Sequence, residues 1–333
     1  MNKKYAIFVA SNINYLCYLN ALLNSLDKQG IENTVYILSD NLPEQYLKDI
    51  VNRMSYEAIP VNIRYKDFDI NKYNDQHGRG TFFIKRARFK YVSDFAPEYD
   101  AVCLLDADMF VVSRNFSNFF ELVSGTNLLV GCNERFKWNF PNRYRFKGEP
   151  IFKDNIKDFK FHCSVPIFFD FKKWEEVFKT YNEMCFNSFE YNEKNEIIKS
   201  TGDIFCWNIA VCKNQREDDV ILFPMGTMTQ VHHTHVLPCN HINRVSDSLW
   251  VNEENLEVFS IHGRVDKRGY KEQSLRAVTA QTQGCITDDT TLIRHLKKAE
   301  RIIKEIRTEW VSLNKDYKVK LNDYIKYDLG IEK

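Results

Sequence analysis

The chain predicts an α/β fold, a mixed and mainly parallel sheet flanked by helices, with a helical extension at its C-terminus. Three observations predict it. The apolar runs in "YAIFVASN", "TVYILSD" and "AVCLLD" read as strands buried on both faces, the habit of parallel sheets. Segments of helical period lie between those runs, as right-handed crossovers require. From Leu292 onward Leu296, Ala299, Ile303, Ile306, Trp310 and Leu313 recur at alternating steps of four and three, one apolar stripe along a helix.

The elements follow in order. After the first strand, "YLCYLNALLNSLDKQG" places Leu16, Leu19, Leu22, Leu23 and Leu26 on one helical face and ends at Gly30. The strand "TVYILSD" precedes a helix with Pro43 near its start. A short strand around "VNIRY" and a helix over "FFIKRARFKYVSDF" lead into "AVCLLDADMFVV". Beyond it come the strand "NLLVGCNE", a long polar and aromatic insertion, the strand "CSVPIFFDF" and the helix "KKWEEVFKTYNEMC". "EYNEKNEIIKS" reads as an exposed loop, "GDIFCWNIAVCK" as a helix, and "VILFPM" and "EVFSIHGRV" as strands. No repeat or low-complexity linker interrupts this, so residues 1–285 are read as one catalytic domain and 286–333 as the helical extension.

With 46 basic and 45 acidic side chains in 333 residues, bulk binding of a polyanion is not indicated and charge recognition must be local. The nine cysteines form no CxxC pair, which suits reduced thiols in the cytoplasm. "YAIFVASN" is too short an apolar run for a signal peptide, and no run is long enough to span a bilayer. Residues 292–333 hold 11 Lys and Arg against 7 Asp and Glu; the tail helix closes the core, or else it serves self-association or contact with the inner face of a membrane.

The chemistry begins where the central apolar run ends in Asp106 and Asp108. Carboxylates at the carboxyl end of a core strand are costly to desolvate unless a cation or hydrogen-bond donors compensate them. An Asp-x-Asp pair can hold Mn²⁺ or Mg²⁺ against a diphosphate. Alternatively the first aspartate is the nucleophile of a haloacid-dehalogenase-like phosphohydrolase, although Phe110 and the late position of the strand speak against that. The bland alternative is a pair of turn caps. His232, His233, His235 and His241 contain an HxH step usable for zinc, without a matching acidic cluster. The insertion 135–160 has 8 Lys and Arg against 3 acidic residues among many aromatics, a composition suited to an anionic glycan and less so to DNA with modified bases; a solvated basic loop fits equally.

In sequence order, "FVASNINY", "VYILSDNLPEQ", "FIKRARFKYVSDF", "LLDADMFVV", "FHCSVPIFFDFKKW", "GDIFCWN" and "IHGRVDKRGY" resemble the GT-A glycosyltransferases with a DxD motif. The similarity is greatest to glycosyltransferase family 8, which contains lipopolysaccharide galactosyltransferases and glycogenins, and it runs from about residue 5 to 271. The resemblance implies a Rossmann-like GT-A fold, a nucleotide-sugar donor such as a UDP-sugar, Mn²⁺ or Mg²⁺, and a glycan or glycolipid acceptor. It also implies retention of anomeric configuration; inversion through Asp203 as a base is the alternative.

Residue by residue, the resemblance puts Ala10, Ser11, Asn12 and Tyr15 around the base and ribose, with Tyr15 stacked on the base, and Lys85 or Arg88 on the donor. Asp106 and Asp108 would hold metal and ribose, and His262, opening a segment like HxxGxxKPW, would be the third metal ligand. Lys267 would meet the diphosphate and Tyr270 takes the tryptophan place; Gly263, the lysine offset and Gly269 depart from the pattern. "GDIFCWN" stands where the family has DQDxLN, so Asp203 and Asn208 are the catalytic candidates, while Ile204 and Phe205 replace the glutamine and second aspartate. The competing role for Asp203 is a helix N-cap.

Overall fold

A computed structural model of the chain describes residues 3–64, 79–133, 144–146, 149–150, 162–191, 194, 197–200, 202–223, 227–230, 242–246, 249–252, 254–262, 301, 304–305 and 308–314. In chain order its strands are β1 (Tyr5–Asn12), β2 (Thr34–Asp40), β3 (Ala58–Asn62), β4 (Ala101–Asp106), β5 (Met109–Val111), β6 (Leu129–Asn133), β7 (Tyr144–Phe146), β8 (Glu149–Pro150), β9 (His162–Phe169), β10 (Ser188–Tyr191), β11 (Ile197–Ser200), β12 (Val220–Phe223), β13 (Met228–Gln230), β14 (Ile242–Ser246), β15 (Leu249–Asn252) and β16 (Ser260–His262). The helices are α1 (Leu16–Lys28), α2 (Glu44–Arg53), α3 (Arg79–Phe95), α4 (Asn118–Val123), α5 (Phe171–Asn187) and α6 (Asp203–Lys213).

Seven strands form the central sheet in the order β12-β6-β9-β4-β1-β2-β3. β9 alone runs against its neighbours β4 and β6; the other pairs are parallel. All six residues of β4 are buried, which explains its unbroken apolar run. α3, α5 and α6 meet through aromatic rings: Phe89 lies 3.9 Å from Tyr181 and 5.5 Å from Trp207, centroid to centroid. Burying each such ring contributes about 1.5–3 kcal/mol. Gly30 ends α1 with φ +66°, where its N–H reaches the Asp27 carbonyl and the Ile31 N–H reaches that of Leu26; a side chain would strain that left-handed step.

The structure corrects one element. "EYNEKNEIIKS" is not an exposed loop: β10 and β11 pair as an antiparallel hairpin, and β10 also pairs with β7 from the insertion. The alternation of apolar and polar residues is short there, and the partner strand lies some forty positions upstream, so no local pattern announces the ladder. The short strand before α3 is also displaced, covering Ala58–Asn62 rather than centring on "VNIRY". The histidine-rich segment 231–241 and the stretch 263–300, with Lys267 and Tyr270, lie outside the described residues.

Cys103, Cys185 and Cys206 are buried free thiols and Cys17 and Cys212 are half-buried ones. Burial pushes the Cys103 thiol well above its usual range. No helix of the described residues is long and apolar enough to cross a membrane.

Residues 308–313 are helical and dock on α1. Trp310 lies 5.7 Å from Tyr18, Asn20 Nδ2 donates to Asn314 Oδ1 at 2.7 Å, and the buried Glu309 carboxylate joins Lys28 of α1 at 2.6 Å to Arg244 of β14 at 3.2 Å. Trp310→Ala is expected to lower stability by about 2 kcal/mol, from lost burial and one aromatic pair. Urea unfolding measures it against Val311→Ala, whose side chain is 45% exposed and whose loss should be neutral. Equal midpoints for the two variants would mean that this segment is undocked in solution.

Candidate active site

The site is built at the carboxyl ends of the central strands, where parallel sheets gather ligands. The register of β1 with β4 sets Ala10 beside Asp106, and that of β1 with β2 sets Ser11 beside Ser39 and Asn12 beside Asp40. Ser11 is buried, and Asn12 uses its side-chain oxygen to accept the Asn14 N–H at 3.1 Å, capping the turn that carries Tyr15. Tyr15 is half-buried, its ring 6.0 Å from that of Tyr18. The four residues expected around a base and ribose thus form one rim.

Asp106 closes β4, and after a two-residue turn the chain re-enters as β5. β5 pairs antiparallel with β16, in the register Met109↔His262, Phe110↔Ile261 and Val111↔Ser260. This pairing brings His262 to the aspartates. Its Nε2 lies 3.2 Å from Asp108 Oδ1 and 3.6 Å from Asp106 Oδ2, with side-chain exposures of 7%, 12% and 9% for the three. One ligand atom from each falls within 4.8 Å of the others. Ions bound by carboxylate and imidazole at about 2.0–2.2 Å need only small side-chain movements to draw such a set together.

Charge points the same way. Arg88 of α3, 1% exposed, donates through Nη1 to Asp106 Oδ1 at 2.8 Å and to the Leu105 carbonyl at 3.0 Å. Asp106 therefore has one buried guanidinium partner, and a divalent ion among Asp106, Asp108 and His262 would offset further carboxylate charge in this nearly buried site. Arg88 was expected on the donor; the structure gives it Asp106 as a partner, while the side chain of Lys85 lies outside the described residues. Arg88 Nε and Nη2 have no hydrogen-bond partner among the described residues.

Asp203 is the first residue of α6, and Gly202 takes the N-cap position, so the N-cap role is not the one Asp203 fills. Its side chain lies outside the described residues. Asn208 is fully buried one turn and a half further on and donates through Nδ2 to the Ile204 carbonyl at 2.9 Å. Asp40, which sequence reasoning did not single out, ends β2 beside Asn12 and is 5% exposed; "TVYILSD" ends an apolar run in an aspartate just as β4 does.

Comparison with known proteins now adds to this geometry. The sequence model of the family described as glycosyl transferase family 8 matches residues 6–209. Among solved structures, an active-site mutant of LgtC aligns with a TM-score of 0.54 at 17% identity over 82% of this chain and 95% of that one. The galactosyltransferase LgtC with donor and acceptor sugar analogues aligns at 0.51, 16% identity, 85% of this chain and 96% of that one. The bifunctional glycosyltransferase WbbM aligns at 0.52 and 14% identity over 83% of this chain; the chain spans half of WbbM's length. No curated protein sequence matches. The structural likenesses establish the GT-A fold, and the family match extends over more than half of the sequence. The chain belongs to glycosyl transferase family 8 and is a glycosyltransferase.

Proposed function

We propose that the enzyme moves a sugar from a nucleotide-sugar, a UDP-sugar by family precedent, to a glycan or glycolipid acceptor, with Mn²⁺ or Mg²⁺ held by Asp106, Asp108 and His262. The observation that carries this reading is the convergence of those three side chains beside the Ala10–Asn12 rim in a family 8 chain. When bound, the ion would neutralise the departing diphosphate. The rim would orient the nucleoside, Tyr15 stacking on the base and Lys267 meeting the phosphates. Asp203 would face the reacting sugar, bind its hydroxyls or stabilise charge at the anomeric carbon, and Asn208 would hold the start of α6 in place. Retention of configuration is the outcome proposed.

An anionic acceptor such as a phosphorylated lipopolysaccharide core or capsule suits the basic, aromatic insertion 135–160, and family membership leaves modified DNA a remote alternative. We place the reaction on the cytoplasmic side, with residues 1–285 as catalytic domain and 286–333 as a helical extension whose 308–314 segment packs on α1; peripheral membrane contact or self-association would fall to the rest of it. Membership of a glycosyltransferase family displaces the phosphohydrolase alternative.

Calorimetry of UDP with and without Mn²⁺, followed by UDP-sugar hydrolysis under the same conditions, tests the reading. UDP binding at least ten times tighter with Mn²⁺ is expected. Equal affinity with and without the ion, or tighter binding of another nucleoside diphosphate, would overturn the metal or the uridine part respectively.

A further inference from the structure

The ladder that carries His262 to the aspartates is three residue pairs long, and on its other edge β16 pairs with β13 over three more. The β13 pairing holds β16 but does not by itself fix where β16 meets β5, and that register decides whether the imidazole arrives. A slip of one residue turns His262 to the opposite face, and a slip of two moves it about 7 Å along the strand.

Five residues after Asp108 and five before His262, the same two segments meet again. Ser113 Oγ donates to Glu257 Oε1, and Asn115 Nδ2 donates to Glu257 Oε2 at 3.0 Å and Oε1 at 3.3 Å. Ser113 is 2% exposed, and its oxygen accepts the Asn115 N–H at 3.0 Å, which turns its hydroxyl proton toward Glu257. Between this clasp and the ladder, the Val112 N–H reaches the Phe259 carbonyl at 3.0 Å, continuing the register. β5 is also pinned to α1, where Ser25 Oγ accepts the Val111 N–H at 2.9 Å.

We infer that Glu257 is a positioning residue: its carboxylate, gripped by Ser113 and Asn115, sets the β5–β16 register that presents His262 to Asp106 and Asp108. It acts through the strand pairing and stands about five residues from the nearest ligand. The inference rests on the reading of those three side chains as a metal site.

The test is a titration of the full chain with Mn²⁺, with and without UDP, reading free Mn²⁺ by electron paramagnetic resonance well below each variant's melting temperature. His262→Ala is expected to weaken Mn²⁺ binding at least tenfold. Glu257→Ala, with His262 intact, is expected to weaken it about tenfold, the scale of outer-shell partners of metal ligands. Glu257→Gln, which can still accept the Ser113 proton, should stay within threefold of the parent. Arg216→Ala, which removes bonds to Asn127, Lys173 and Asp219 in another part of the fold, supplies a destabilised control that keeps its Mn²⁺ affinity.

A lower melting temperature for Glu257→Ala with Mn²⁺ affinity within twofold would make the clasp merely structural and overturn the inference. Undiminished affinity in His262→Ala would instead overturn the metal-site reading beneath it. If Glu257→Ala does not fold, Asn115→Ala is read on the same scale: a threefold loss or more supports the clasp, and none overturns it.

Discussion

Asp108→Asn should cut metal-dependent sugar transfer by about 10²–10³-fold, the cost of removing one electrostatic stabiliser of a developing charge. The same variant should be at least as stable as the parent in the absence of metal. Asn keeps the size and shape of the side chain, and the change removes one of two nearly buried carboxylates whose oxygens lie within 4.8 Å of each other, while Asp106 keeps its Arg88 pair. Close carboxylates repel one another when no cation lies between them, so the substitution would exchange function for stability. The measurement is a pair of melting curves, with EDTA and with Mn²⁺, beside a turnover assay. The parent should gain melting temperature with Mn²⁺ by mass action, and the variant should gain none. Turnover within threefold of the parent would remove Asp108 from the metal-binding set.

Arg88→Met should destabilise the metal-free protein by about 3–5 kcal/mol, because a nearly buried carboxylate loses its guanidinium partner. Against a total of about 5–15 kcal/mol for a folded domain, that loss is a large share of the stability and should be plain in a urea melt. The double variant Arg88→Met/Asp106→Asn should recover most of it, since the neutral amide no longer needs a cation. The cycle isolates the coupling of the pair. A single-variant cost under about 1 kcal/mol, with additive behaviour in the double, would mean that water reaches the pair.

Much of this fold was legible because the chain repeats one device. Val102 to Leu105 and Ile7 to Val9 are apolar on both faces, so they read as core strands without help from a partner, and the leucines of α1 lie at helical spacing. The aspartates were legible for the opposite reason, two charges where the pattern calls for apolar residues. His262 followed from its resemblance to a family segment, and the β5–β16 register joined it to them. What escaped depends on pairing rather than pattern. The β10–β11 hairpin draws on β7, the ion pair of Arg88 with Asp106 spans α3 and β4, and Glu257 meets Ser113 across 144 positions. None of these contacts leaves a period in the sequence. Asp40 had a signal that went unread, because one aspartate at a strand end attracts less notice than two.

The order in which the chain is made gives the His262–Asp108 contact, which joins residues 154 positions apart, a consequence for the cell. At about 5–20 residues per second, synthesis leaves both aspartates without their histidine for about 8–30 s. During that interval His262 is missing from the proposed metal site, so a growing chain is expected to hold a divalent ion poorly. On the proposed reading of the metal site, activity would begin only once His262 has emerged and β16 has paired with β5.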